Sequence, residues 1–201
     1  MTNLDLGKMI EFVRLMNKFR QIKRVIRLAD DGAQENDVEH SYGLAMLAWY
    51  IVDSSNLNLN KDLVLKYALV HDLVEVYAGD TFLYSKDKSY LESKKRRESE
   101  AAERLQKEFS EFDELFGSIK AYEERADKES KFVYALDKIH PILNIYIDGG
   151  FTWREKEITI QMIYDVKKHK IALSPEVDAC FDEIIDMLKQ EEQKLFLSPK
   201  Q

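Results

Sequence analysis

The stretch KDLVLKYALVHDLVEVYAGD, Lys61 to Asp80, decides how this chain reads. Val64, Ala68, His71 and Glu75 recur at three- and four-residue steps, the spacing that brings side chains to one face of an α-helix. The pattern predicts a helix from about Lys61 to Tyr77 that stops near Gly79, with Asp72 beside the stripe. The same period of about 3.6 runs outward in both directions. Seven glycines and three prolines in 201 residues are too few for the turns of a sandwich or barrel, so the expected fold is all-α.

Upstream, a first helix is expected from about Asp5 to Phe19, with Leu6, Met9, Ile10, Val13 and Met16 as its apolar stripe. A basic stretch (Arg20, Lys23, Arg24, Arg27) and a polar loop from Asp30 to Asp37 follow. Asp37 reads as the N-cap of a second helix, on which His40, Leu44, Leu47 and Ile51 share a face. Asp53 to Asn60, rich in Ser and Asn, ends it. Downstream, Asp87 to Phe109 reads as a long charged helix with Ala101, Ala102, Leu105 and Phe109 inward. Glu111 to Glu124 presents Leu115, Ile119 and Tyr122, and Asp127 to Tyr146 buries Phe132, Leu136, Ile139 and Leu143 with Asp137 beside them. After Gly149-Gly150 comes a helix near Glu155 to His169. Ser174-Pro175 opens the last one, an N-cap followed by proline, with Val177, Cys180, Phe181, Ile184 and Leu188 inward. One domain over 1–201 is expected: a core of about 5–148, a helical extension of about 153–193, and a short disordered tail.

With 45% hydrophobic and 11% aromatic residues the chain can bury a sizeable core. No stretch nears the roughly 18 uninterrupted apolar residues of a membrane span, and Met1 to Met9 lacks a basic region followed by an apolar one. Neither a membrane association nor a signal peptide is expected. The single cysteine, Cys180, cannot form an internal disulfide, which fits a reducing cytoplasm. A net charge of −7 argues against binding a nucleic-acid polymer, but not against a small anion held by a metal or a local basic pocket.

The chain has four histidines, and His40 and His71 sit on the inward faces of consecutive helices. Adjacent helical residues diverge by about 100°. His71 and Asp72 therefore converge on one ion only in a groove that other helices close, and His40 and Asp137 are placed to close it. Imidazoles and carboxylates suit a divalent first-row metal, with open positions for water and substrate. A lone His-Asp pair more often hydrogen-bonds than ligates. Burying this many ionisable groups, however, costs several kcal/mol each unless they are paired or metal-bound.

The order His40 … His71-Asp72 … Asp137 resembles the signature of the HD-domain metal-dependent phosphohydrolases. His71-Asp72-x-x-Glu75-x-x-x-Gly79-Asp80, with Glu39-His40-Ser41 upstream, is similar to their 5′-deoxynucleotidase branch over roughly Phe12 to Ile145. The resemblance implies a helical bundle with the metal in a groove between core helices. His40, His71, Asp72 and Asp137 would hold one divalent ion (Mn, Co or Zn), with no organic cofactor. It implies a phosphomonoesterase acting on (deoxy)nucleoside 5′-monophosphates or a similar small phosphate ester through a water on the metal. Glu75 would be the acid/base beside that water, counted with Asp72 as catalytic, and Asp80 would touch the sugar hydroxyl. Lys18, Phe19 and Arg27 are the further expected substrate contacts. The relatives carry Arg-Trp where this chain reads Lys18-Phe19, and a proline after Gly-Asp where this chain continues Thr81-Phe82-Leu83-Tyr84. A homodimer is implied as well.

Each residue also has a plainer reading: Glu75 as an i,i+4 surface partner, Asp80 as a solvated loop carboxylate. Lys94-Lys95-Arg96-Arg97, flanked by Glu92, Glu98 and Glu100, reads as a solvated helix face rather than an anion patch. His140 and His169 read as ordinary helix histidines, with a supporting role at the metal as the second reading of His140. Cys180, Trp49 and Trp153 read as packing residues. Two alternatives stand beside the phosphomonoesterase: a phosphodiesterase or pyrophosphohydrolase acting on a signalling nucleotide, and a non-catalytic nucleotide-binding HD module. Val76 follows the glutamate where alarmone hydrolases have a second acid, and His140 and His169 do not match the extra ligands of cyclic-dinucleotide enzymes.

Overall fold

The computed structural model describes residues 4–28 and 32–196. Residues 197–201 of the expected disordered tail and 30–31 of the loop beginning at Asp30 lie outside the described residues; the start of the tail is not disordered, since Leu195 ends a helical turn and Leu195 and Phe196 are buried. The rest is helical, with one small antiparallel ladder between β1 (Lys23–Arg27) and β2 (Gln34–Asn36). The basic stretch is thus a strand rather than a loop, and it lies against α7 (Lys128–Ile147) and α8 (Phe151–Glu155).

Two hydrophobic clusters hold the helices together. The larger joins α2 (Asp37–Ser54), α3 (Lys61–Val70), α7, α9 (Ile160–Ile171) and α10 (Pro175–Gln190) around Leu44, Phe132, Ile163 and Phe181. Each such large side chain, fully buried, contributes about 1.5–3 kcal/mol. The smaller joins α1 (Leu6–Phe19), α5 (Lys88–Glu108) and α6 (Asp113–Glu124) around Leu15, Phe19, Leu105 and Ile119. The expected stripe of α1 is therefore wrong on four counts: Leu6, Met9, Ile10 and Val13 are exposed. Phe12, Leu15, Met16 and Phe19 make the competing stripe, and their larger area turns it inward. On α10 the inner face is Val177, Phe181, Ile184, Ile185 and Leu188, with Cys180 exposed instead of packed. Trp153 is buried and stacks on Phe196, whereas Trp49 is half exposed rather than packed.

Three departures from the expected helices shape the centre of the molecule. The helix expected over Lys61 to Tyr77 is broken: α3 ends at Val70, a turn covers 71–74, and α4 spans only Glu75–Ala78. Within the turn Leu73 bonds back to Val70, Glu75 to Asp72 and Val76 to Leu73, the tighter i→i−3 pattern of a 3₁₀ turn. His71 and Asp72 are therefore carried by a turn, not by a helix interior. In α7, Pro141 offers no N–H to the carbonyl of Asp137, four residues earlier, which loosens the helix at that residue. The helix expected near Glu155 to His169 is two pieces, α8 and α9. At Gly150 φ is +80°, and a Cβ there would overlap the backbone of Leu195 in α11 (Glu192–Leu195), so glycine is required.

Candidate metal centre and its surroundings

His40 enters from the first turn of α2. Asn36 accepts hydrogen bonds from the Val38 and Glu39 amides, and the Glu39 carboxylate reaches back to the Asn36 amide at 2.9 Å. This capping box starts the helix. Asn36 is thus the N-cap, and Asp37, expected in that role, is a buried first-turn residue whose carboxylate meets Arg24 at 3.2 Å.

The His40 ring is 0% exposed, with Nδ1 3.3 Å from Glu35 Oε2 and Nε2 3.0 Å from Asp137 Oδ1. His71 donates from Nδ1 to the Ala68 carbonyl at 2.9 Å. A carbonyl can only accept, so Nδ1 carries a proton, and Nε2 faces Asp72 Oδ2 at 3.0 Å and Asp137 Oδ1 at 3.7 Å. That Nε2 is buried and has no hydrogen-bond partner among the described residues. A lone pair against two carboxylates is repulsive until a cation, either a proton or a metal ion, lies between them. Burial disfavours the imidazolium, but the Asp72 and Asp137 charges overcome it and lift the His71 pKa to about 10. Burial likewise pulls both aspartates up. His71 for Asp72, and Lys138 with the histidines for Asp137, overcome it and hold them below the usual carboxylate range.

One ligand atom from each of His40, His71, Asp72 and Asp137 lies within 4.8 Å of the others. Two imidazoles and two carboxylates with no thiolate form a donor set suited to a divalent first-row ion, and the orientation of His71 matches a metal-ligating imidazole held from its far side. Asp37, Asp72 and Glu75 also meet this spacing. There the Arg24 guanidinium, 2.7 Å from Asp72 and 3.4 Å from Glu35, already supplies positive charge.

Glu75, on α4, is 2% exposed; its Oε2 is buried and unpaired among the described residues, and Oε1 stands 3.6 Å from Lys94 Nζ. Burial, then the charges of Asp72 and Asp80, push its pKa well above the usual range. Burial does the same to Asp80. A cavity of about 60 Å³ beside the histidine–aspartate cluster is lined by these acids and by Arg24, Lys94, Lys138 and Lys167. Lys138 pairs with Asp137, and Lys167, from α9, donates to the Lys138 carbonyl at 2.7 Å. Burial and the neighbouring Lys138 lower the Lys167 pKa to about 7.

The structure brings His40, His71, Asp72, Glu75, Asp80 and Asp137 to one place, but not the other three expected contacts. Phe19 is 3% exposed within the smaller cluster, and Lys18 is exposed with Nζ 5.9 Å from the centre of the Tyr77 ring. Arg27 points the other way, to the Gly32 carbonyl at 3.0 Å and Glu155 at 3.9 Å. The ladder is irregular between Lys23 and Arg27, and along it Arg24 turns in to the carboxylates while Arg27 turns out. The 94–97 run divides as well. Lys94 faces Glu75, and Arg97 donates to the Ala78 carbonyl and to Thr81 Oγ1, while Arg96 pairs outward with Glu100. His140 is buried with its ring 5.1 Å from that of His40, not an ordinary helix histidine; His169 is exposed. Lys138 was legible as the neighbour of Asp137. Lys167 had no local signal.

The chain is similar to several known proteins. The family model described as HD domain matches residues 16–178. The chain is 32% identical over 138 residues to the 5′-deoxynucleotidase HDDC2 of Homo sapiens, covering 67% of this chain and 65% of that protein. It is also 32% identical over 140 residues to that of Mus musculus, covering 67% of each. The fold matches the crystal structure of a predicted metal-dependent phosphohydrolase from Magnetospirillum magnetotacticum, with TM-score 0.79 and 27% identity over 93% of this chain and 94% of that one. A conserved hypothetical protein from Pyrococcus furiosus shares the fold at TM-score 0.61 and 20% identity over 90% of this chain and 99% of that one. On the family match and the identity to these relatives, the chain belongs to the HD-domain family.

Proposed function

We propose that this protein is a metal-dependent phosphohydrolase that cleaves (deoxy)nucleoside 5′-monophosphates or a similar small phosphate ester. The observation that carries the reading is the facing of His71 Nε2, with Nδ1 held on the Ala68 carbonyl, onto Asp72 and Asp137 beside His40. His40, His71, Asp72 and Asp137 would hold a divalent ion, for which we name Mn, Co or Zn. Such an ion, when bound, supplies Lewis-acid polarisation and a more acidic water.

The remaining chemistry falls to the chain's own groups. Hydrolysis joins a water oxygen to phosphorus, breaks the ester P–O bond, and leaves an alcohol and inorganic phosphate. Glu75 keeps one carboxylate oxygen unpaired in a buried position, which suits it to orient the water and to take and return a proton at Oε2. Arg24, Lys94 and Lys138 offset the charge of the phosphoryl oxygens. Asp80 is the proposed acceptor for a sugar hydroxyl. The chain is read as one domain, its helices after residue 153 supplying the Lys167 wall of the cavity. We include a second copy of the chain as partner, covering Tyr42, Met46, Trp49 and Tyr50 on α2, all exposed apolar or aromatic groups. Light scattering checks this, and a monomer at working concentration removes it. No helix among the described residues is long and apolar enough to cross a membrane. A reducing, cytoplasmic setting is proposed on the single Cys180.

The test is phosphate release from a panel of nucleoside 5′-monophosphates with each metal supplied. Glu75→Gln should lose at least about a hundredfold in kcat while metal content stays at the wild-type level. Full activity in that variant would remove Glu75 from the mechanism, and no phosphate from any ester with metal bound would remove the reading itself.

A further inference from the structure

The two histidines of the metal centre are held differently. His71 is braced from its far side by a backbone carbonyl, that of Ala68, at 2.9 Å. Behind the His40 ring stands a carboxylate instead, that of Glu35, with Oε2 3.3 Å from Nδ1. Both of these atoms are buried, and neither has a hydrogen-bond partner among the described residues. Buried polar atoms nearly always find partners, because leaving one unpaired forfeits its hydration without return. Two that face each other mark a bond that forms once the proton of the ring is in the right place.

The place of that proton is a two-way choice, since a neutral imidazole carries one N–H. On Nε2 it would point to Asp137 Oδ1 at 3.0 Å, and on Nδ1 to Glu35. Nε2 is the nitrogen turned toward the other ligands, because the same Asp137 oxygen lies 3.7 Å from His71 Nε2. An ion held at Nε2 therefore needs the proton on Nδ1, where Glu35 can accept it. A carboxylate in this position also raises the basicity of the imidazole as a ligand. Glu35 is itself built into the fold and is 2% exposed. Asn144, from α7, donates to its Oε1 at 3.1 Å, and Arg24 Nε lies 3.4 Å from its Oε2. Against one face of the His40 ring lies the ring of His140, with centres 5.1 Å apart, in space that Gly43 leaves open. A Cβ at Gly43 would come within 3.0 Å of His140 Cε1.

We propose that Glu35 is a positioning residue for the metal, which holds the proton on His40 Nδ1 and so presents Nε2 to the ion. The proposal rests on the metal-centre reading. It also gives the small ladder a function, since β1 carries Arg24 and β2 carries Glu35 to the back of His40.

The test measures metal binding and proton position, not turnover. Wild type and Glu35→Gln, stripped of metal, would be titrated with Mn well below both melting temperatures, with the free ion read by electron paramagnetic resonance. Glutamine keeps the size of the side chain and removes its charge. The variant should bind Mn at least about tenfold more weakly. A purely structural Glu35 would lower the melting temperature in chelator and leave the Mn affinity of the folded variant unchanged, and that result would overturn the proposal. A second measurement needs only the wild type: long-range proton–nitrogen correlation spectra of the histidine-labelled protein loaded with Zn. They should show His40 with its proton on Nδ1 and Zn on Nε2. Zn on Nδ1, or the proton on Nε2, would overturn the proposal even where Glu35→Gln fails to fold. A wild type that takes up neither ion sinks the metal reading and this proposal with it, whereas equal affinities in wild type and variant sink this proposal alone.

Discussion

Arg24 is the residue on which the architecture of the metal centre turns, and replacing it tests the fold and the site together. Its guanidinium lies 2.7 Å from Asp72, 3.2 Å from Asp37 and 3.4 Å from Glu35, with its side chain 13% exposed and theirs 17%, 0% and 2%. Arg24→Met keeps much of the apolar stem and removes the charge. The cost is that of leaving buried carboxylates without their partner, about 3–5 kcal/mol. In a chain of this length 1 kcal/mol moves the melting temperature by about 2–4 °C, so the variant should melt about 6–20 °C lower. Arg27→Met is the control. That side chain is 38% exposed, 3.9 Å from Glu155 and bonded to the Gly32 carbonyl at 3.0 Å, so its loss should stay within about 1 kcal/mol.

The metal provides the second half of the experiment. Both variants and the wild type would be melted in chelator and again with Mn, followed by circular dichroism. An ion at 100 times its dissociation constant adds about 2.7 kcal/mol to any protein that binds it only when folded. In Arg24→Met it also restores positive charge beside Asp72, so the rise on adding Mn should exceed that of the wild type. A loss below about 1 kcal/mol in chelator, or one no larger than that of Arg27→Met, would refute the claim that Arg24 neutralises this carboxylate group.

Three further outcomes are expected. Phe19→Ala should cost about 3–5 kcal/mol by opening a cavity in the smaller cluster, and Lys18→Ala less than about 0.5 kcal/mol; a nucleotide-binding defect without destabilisation in Phe19→Ala would return that residue to the substrate site. Gly150→Ala should cost at least about 2 kcal/mol, read from urea midpoints, because of its φ of +80° and the overlap with Leu195. Burial lifts Asp37 to about 7 in the folded protein, against about 3.9 unfolded. The folded state therefore binds more protons between those values, and this contribution to stability falls as pH rises from about 4 to 7 and is flat above. Urea titrations in chelator should show Asp37→Asn removing that slope, and an unchanged slope would assign it elsewhere.

What the sequence reveals here depends on whether a residue's role is local or set by distant packing. The helical period and the His40, His71-Asp72, Asp137 order are local and survive into three dimensions, as does Glu75, one turn beyond His71. The break after Val70 is not visible in the stripe, because a 3₁₀ turn and an α-helix both keep residues three apart close together. The α1 stripe failed for a different reason: that helix carries two apolar faces, and the larger one, with Phe12, Leu15 and Phe19, packs on the segment around α4 and on α2. The cations show the sharpest division. Strand parity alone would not have selected Arg24 over Arg27, because Val25 and Ile26 put an apolar residue on each face and the ladder is irregular between Lys23 and Arg27. Lys167 is another matter, since its buried ammonium reaches the Lys138 carbonyl, 29 positions earlier in the chain, across a helix–helix contact. Pro141 offers no N–H to the Asp137 carbonyl and loosens α7 at a proposed metal ligand, while the next carbonyl, that of Lys138, accepts from Lys167 and joins α9 to the same turn.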